Sequence, residues 1–303
     1  MFTLRQYLLA LLDSRGLTRT LGEIDVCRDE QGRPCFSAGN SAAVFRIRLG
    51  GRIRSLRCYL RPMRHLKEIY GQRLLEKELY LHTSPETGVW VDTVLGDWIE
   101  GSTLHETVAQ AAALRDRESL QILVRLFDRL ALALVTDDRA HGDLKPENII
   151  VGDDGTLCPI DFDASYLPAF AGEISPELGT AAYQHPARTA ADFDERIDDY
   201  PAALISTALH ALAENPTLWD RYGSSDGLLY TPQRIASDPA YRETLALFEK
   251  RGMAVQYRIA QLLTAPTLRL FGLAELLAEA VREKPAVRSG TEAETPELFV
   301  ENG

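Results

Sequence analysis

The stretch from His141 to Ile150 (His-Gly-Asp-Leu-Lys-Pro-Glu-Asn-Ile-Ile) sets an aspartate, a lysine and an asparagine close together, and Asp161 follows shortly after in Ile-Asp-Phe-Asp. Asp143 is the kind of group that orients a hydroxyl and accepts its proton. Asn148 and Asp161 offer the hard oxygen ligands that a divalent cation takes alongside phosphates. Lys145 would neutralise charge on a group in transit. The chemistry this set fits is phosphoryl transfer, where positioning and charge compensation carry most of the catalysis. A helix end followed by a hairpin with scattered acids is the plainer reading. Order, spacing and residue type agree too well for it.

The stretch resembles the catalytic and magnesium loops of eukaryotic-type protein kinases, and Lys145, Pro146 and Glu147 fit the Ser/Thr version. The resemblance implies ATP and Mg2+ as cofactors, with Asp143, Lys145, Asn148 and Asp161 as catalytic residues and Asn148 and Asp161 as metal ligands. Some positions depart from the pattern. Gly142 replaces the arginine that usually precedes the aspartate, so activation by pairing that arginine with a loop phosphate is not expected. Asp163 replaces a glycine, which should reduce the freedom of that loop to flip. Gly179-Thr180-Ala181-Ala182-Tyr183-Gln184-His185-Pro186 resembles the kinase substrate loop, with Ala187 where a glutamate normally closes it by an ion pair. Asp198-Asp199-Tyr200 resembles the start of the central buried helix, with Asp198 expected to bond backbone amides of the catalytic loop. A metal reading of His141 and His185 finds no accompanying ligand cluster.

The elements that must position this set lie upstream. Around Gly39 the run Ser37-Ala38-Gly39-Asn40-Ser41-Ala42-Ala43-Val44 matches a phosphate-covering loop with only the middle glycine kept. Gly39, Asn40, Ser41 and Val44 are its candidate nucleotide contacts; alone it would read as a hairpin turn. Ser55-Leu56-Arg57-Cys58-Tyr59 resembles the strand that carries the phosphate-gripping lysine, which puts Arg57 in that place. Arginine keeps the charge but is longer and planar. Arg61 is a second match, better read as a solvated strand residue. The helix glutamate expected to hold such a cation is Glu76, with Glu68 as the alternative; either could be an ordinary surface glutamate. Asp97 to Leu104 resembles a hinge, where backbone groups of Asp97 and Ile99 would read an adenine edge and Gly96 would leave the pocket behind it open.

Alternating apolar residues from Val26 to Tyr59 predict strands, Arg64 to His82 predicts a helix, and a short strand is expected over Val89 to Ile99. Helical periodicity runs from about Gly101 to Thr136, then an irregular stretch from Leu167 to Asp199 precedes helices over Leu204–Leu212, Tyr241–Phe248 and Leu268–Val281. Met1 to Leu12 predicts an amphipathic helix with Leu4, Leu8, Leu11 and Leu12 on one face. Strands first and helices after is an α+β fold, matching the bilobal protein-kinase-like fold of a small β-rich lobe and a large helical lobe. The expected domains are an N-terminal helical extension (1–25), the small lobe (26–100), the large lobe (101–283) and a mobile tail (284–303).

With 303 residues and a net charge of −11, the chain can build a large core, and its acidity argues against nucleic acid or an anionic membrane as the main partner. Four scattered cysteines form neither a disulfide framework nor a metal-type pair, and no apolar run is long enough to span a bilayer. A reducing cytoplasm is the simplest setting. Asp-Phe-Asp-Ala-Ser-Tyr-Leu-Pro from Asp161, Pro-Glu-Leu-Gly from Pro176, Tyr-Gln-His-Pro-Ala-Arg from Tyr183 and Leu-Trp-Asp-Arg-Tyr-Gly from Leu218 resemble a group of bacterial kinase-like proteins. That resemblance implies a protein substrate or regulatory partner, including a phosphatase or von Willebrand-type module. The first functional expectation is an ATP- and magnesium-dependent Ser/Thr protein kinase. The second is a pseudokinase, favoured by Arg57, the lost glycines and Ala187. The third, a small-molecule kinase, is opposed by the Lys-Pro-Glu-Asn run and the Gly-Thr-x-x-Tyr-x-x-Pro loop.

Overall fold

A computed structural model describes residues 1–282. They divide into two compact units, Met1–Ile99 and a second that begins at Glu100. The larger sheet lies in the first and most of the helices in the second, a kinase-like α+β division. The expected tail, 284–303, lies outside the described residues.

The first unit opens with helix α1 (Leu4–Leu12), capped by Thr3 and Gln6, each bonding the other's backbone amide. Strands β1 (Asp25–Val26), β2 (Phe36–Ala38), β3 (Ala42–Leu49) and β4 (Arg52–Tyr59) follow. Then come a short helix α2 (Leu66–Tyr70), β5 (Leu74–His82) and β6 (Gly88–Asp97). All pairings are antiparallel, in the order β1-β3-β4-β6-β5, with β2 also on β3. One face of this sheet (Phe45, Ile47, Leu56, Leu79, Leu81) is closed from solvent by α1 through Tyr7, Ala10 and Leu11. Each large apolar side chain contributes about 1.5–3 kcal/mol when buried. The Tyr7 hydroxyl donates to the Tyr59 carbonyl at 2.6 Å, which fixes the helix in place. The packed stripe is therefore centred on Tyr7 and Leu11, and Leu12, expected on that face, is 45% exposed.

The helix expected over Arg64 to His82 is corrected by the structure. Helix α2 is five residues long and stops at Gly71, whose φ of +51° a side chain would resist. From Leu74 the chain is a strand. Leu79 and Leu81 are fully buried while Tyr80 and His82 alternate with them, a period of two that pairing with β6 enforces. A bulge between Leu75 and Leu79 holds the residues whose spacing reads as helical.

In the second unit, β7 (Gly101–Thr103) pairs with β8 (Ile149–Gly152), and β8 with β9 (Leu157–Pro159). Helices α3 (Leu104–Ala113) and α4 (Arg117–Thr136) precede β8. Thr103 and Glu106 form a capping box on α3, and Asp116 caps α4. Helix α5 (Asp199–Glu214) is the buried axis of the unit. Its surface is apolar or small nearly all round, the pattern of a helix enclosed on every side. It packs on α4 and, with α6 (Leu218–Tyr222), α7 (Pro239–Arg251), α8 (Ala254–Leu262) and α9 (Leu273–Arg282), builds one continuous core. The last helix starts at Leu273 rather than Leu268, because Gly272 at φ +82° breaks the run. Among the described residues, no helix is long and apolar enough to cross a membrane.

Candidate active site

The loop between α4 and β8 is built by backbone and carboxylate contacts within the second unit. Asp198, just ahead of α5 and 1% exposed, accepts the amide of His141 on Oδ2 and that of Gly142 on Oδ1, the latter at 3.0 Å. This is the bond expected from sequence. Burial pushes the Asp198 carboxyl above the usual aspartate range, opposed by His141, the two amides and Arg188. His141, fully buried, bonds the Ile160 carbonyl through Nε2 at 2.8 Å and accepts the Asp143 amide on Nδ1 at 3.3 Å. It is thus a structural brace between the catalytic-type loop and the segment bearing Asp161. Among the described residues, no cluster of His, Cys, Asp and Glu forms a metal cage.

Around Asp143 the polar groups converge. Its Oδ1 accepts the Thr180 amide at 2.5 Å, and its Oδ2 lies 3.2 Å from Asn148 Nδ2 and 3.5 Å from Lys145 Nζ. Lys145 Nζ also donates to Thr180 Oγ1 at 2.9 Å. Asn148 Nδ2 donates to the Asp143 carbonyl at 2.9 Å, so its amide group is oriented with the nitrogen on acceptors and the oxygen left for a cation. The Ile160 amide donates to the Asn148 carbonyl at 2.9 Å, which brings the segment bearing Asp161 alongside this set. Asp161 holds φ +69°, a left-handed conformation uncommon for an aspartate and of the kind that clusters where chemistry dictates the backbone. One carboxylate and one amide oxygen suit Mg2+, which is bound by few protein oxygens and keeps its other positions for phosphates and water. The donor chemistry fits the cation.

Position 142 has no room for a side chain. Gly142 has φ +80°, and a Cβ there would stand 2.1 Å from the Ala164 carbonyl oxygen. The absent arginine is therefore a steric consequence of this loop's own path. Gly179, at φ +70°, is confined in the same way: a Cβ there would lie 2.7 Å from the Gly142 carbonyl oxygen and 3.0 Å from Asp143 Oδ1. The loop lacking a glutamate at Ala187 is held by other means. His185 Nε2 bonds the Ala265 carbonyl at 3.1 Å, and Gln233 Nε2 donates to the Ala181 carbonyl at 2.9 Å.

In the first unit the candidate residues fall as follows. Gly39, Asn40 and Ser41 form the tight turn between β2 and β3, closed by the Gly39 amide on the Ala42 carbonyl at 2.9 Å. Val44 and Arg57 are direct cross-strand partners, and Val94 of β6 completes their row. Asp97 ends β6, where Arg54 pairs with it at 2.9 Å; Ile99 ends the unit. Gly96 lies opposite Ser55, whose hydroxyl would be 2.8 Å from an added Cβ. Glu76 is corrected: it sits exposed in the β5 bulge, on a strand instead of a helix, and Glu68 lies on the short α2. The acid that braces this unit is Glu78, which sequence reasoning passed over. It is 1% exposed and accepts the amides of Arg19, Thr20 and Leu21 at 2.9–3.1 Å and the Thr20 hydroxyl at 2.6 Å.

No family model matches the chain. It is 28% identical over 219 residues to the serine/threonine-protein kinase PknL of Mycobacterium tuberculosis, covering 66% of this chain and 52% of that protein. It is 28% identical over 172 residues to CBL-interacting protein kinase 17 of Oryza sativa subsp. japonica, covering 54% and 35%. With the serine/threonine-protein kinase chk1 of Schizosaccharomyces pombe the identity is 25% over 160 residues, covering 51% and 31%. In sequence the chain is similar to Ser/Thr protein kinases at 25–28% identity, and its α+β division is consistent with a kinase-like fold. Its matches span between about a third and about half of the length of these kinases.

Proposed function

We propose that the protein is a Ser/Thr protein kinase, transferring the γ-phosphoryl group of ATP to a protein hydroxyl in a magnesium-dependent reaction. The observation that carries this reading is the single hydrogen-bonded set of Asp143, Lys145, Asn148 and Thr180. Asp143 accepts the acceptor hydroxyl's proton as the oxygen attacks phosphorus. Lys145 balances charge on the equatorial oxygens of the group in transit. Thr180 ties the loop that would receive a peptide to both residues, so that acceptor binding and catalytic alignment share one element. Asn148 and Asp161 would hold magnesium, which supplies charge neutralisation on the phosphates.

Calorimetric titration of ATP with and without magnesium, on wild type and Asp161→Ala, tests the reading. Magnesium-dependent binding lost in the variant supports it; equal binding by both proteins removes the metal assignment. A pseudokinase is the second reading, favoured by the first unit, where Arg57 stands for a lysine, a single glycine remains in the turn and Glu76 is on a strand. Absence of ATP binding by wild type, or binding without any phosphoryl transfer, would select it.

A further inference from the structure

The catalytic-type loop carries no cation at position 142, yet a cation reaches it from elsewhere. Arg188, in the loop after Tyr183, donates through Nη1 to the Gly142 carbonyl at 3.0 Å and also to Gln184 Oε1. Its guanidinium lies in the field of Asp198, Asp143, Asp192 and Asp194, although among the described residues it makes no direct ion pair with any of them. Nε and Nη2 are buried and have no hydrogen-bond partner. Burial lowers the guanidinium's affinity for its proton, and the four acids oppose that effect. A half-buried arginine with two enclosed, unbonded nitrogens is costly, and so long a side chain would ordinarily swing its charged end to water. Its retention under the loop indicates that its charge is used there.

We propose that Arg188 is a positioning residue of this loop: from the substrate-loop side it holds the Gly142 carbonyl and sets beside Asp143 and Asp198 the positive charge that position 142 has no space to carry. Two consequences follow. The amides of His141 and Gly142 stay on a compensated Asp198 carboxylate. The loop bearing Thr180, already bonded to Asp143, is joined to the catalytic loop by a second link that requires no phosphate. The functional part of this inference rests on the kinase reading; the structural part does not.

The test is amide hydrogen exchange read by mass spectrometry on the full chain, paired with phosphoryl transfer from magnesium-ATP measured as autophosphorylation, for wild type, Arg188→Gln and Arg188→Lys. In Arg188→Gln, amides 141, 142 and 180 should exchange about tenfold faster or more, while α4 and α7 keep wild-type protection. Transfer should fall about 10- to 100-fold in kcat with KM for ATP unchanged, and Arg188→Lys should recover part of it. Wild-type exchange at those amides, or equal acceleration throughout the second unit, overturns the proposal. If Arg188→Gln does not fold, Arg188→Met, which keeps the stem and removes the charge, decides by the same criterion: acceleration confined to the two loops supports the proposal and unchanged rates overturn it. A wild type that transfers nothing defeats the kinase reading alone, since the exchange measurement still decides the role of Arg188.

Discussion

The two units treat the kinase pattern differently. In the second, Asp143, Lys145 and Asn148 meet in one hydrogen-bonded set, and two of the departures from the pattern have a steric reason or a substitute contact. Gly142 is enforced by the Ala164 carbonyl, and His185 and Gln233 anchor the loop that Ala187 does not. In the first, the departures touch the framework itself. The long helix expected after β4 is five residues, α1 covers the sheet from the N-terminal side, and the candidate glutamate lies in a bulge. The difference teaches that a set of fixed polar groups demands specific residues within a short stretch. A sheet needs only an apolar face and something to cover it, and a different helix serves.

The largest effect should come from breaking the second unit's chemistry. Asp143→Ala should reduce phosphoryl transfer about 10²–10⁴-fold while ATP binding by calorimetry stays near wild type. Transfer unaffected by this change would end the assignment of Asp143 as the base.

Restoring the missing arginine sharpens the point about steric cause. Gly142→Arg should destabilise the protein by about 2–4 kcal/mol in denaturant unfolding and should not activate it, because φ +80° and the Ala164 carbonyl both exclude a Cβ. A stable, more active variant would mean that the loop can take another path.

In the first unit the contrast is between two acids two positions apart. Glu78→Ala should cost about 2–3 kcal/mol, since it strands the Thr20 and Leu21 amides and the Thr20 hydroxyl (the Arg19 amide keeps the Glu78 backbone carbonyl), whereas Glu76→Ala should change stability by less than about 0.5 kcal/mol. Equal effects in thermal or chemical unfolding would contradict the register of β5.

The remaining effect is one of pH. Burial raises the Asp199 carboxyl from its ordinary value of 3.8 to about 7, with the Leu270 amide opposing. The folded state therefore binds this proton when the unfolded state does not, so the contribution of Asp199 to stability falls as pH rises from about 4 to about 7. Asp199→Asn, which keeps an acceptor for Leu270 but has no charge to bury, should flatten that fall and be the more stable protein at pH 8. A wild type whose stability does not depend on this residue across the window would remove the claim.

The catalytic-type set is legible in the chain because its members are consecutive or nearly so, and β8–β9 pairing needs only a hairpin to bring the Asp161 segment back beside Asn148. The same holds for α4, whose three- and four-residue apolar spacing is a property of the helix itself. The stretch Leu74 to His82 is ambiguous because its leucines satisfy both periods, and pairing with β6 chooses the strand. The link of Arg188 to the catalytic-type loop and the amides held by Glu78 leave no local signal, since these partners lie 46 and 57 to 59 positions away. By itself the sequence determined which polar groups this protein gathers around Asp143, because those groups are neighbours along the chain. Only the tertiary structure decided which cation and which buried acids hold the loops, because a charge's partner is set by which distant backbone groups burial leaves to be satisfied.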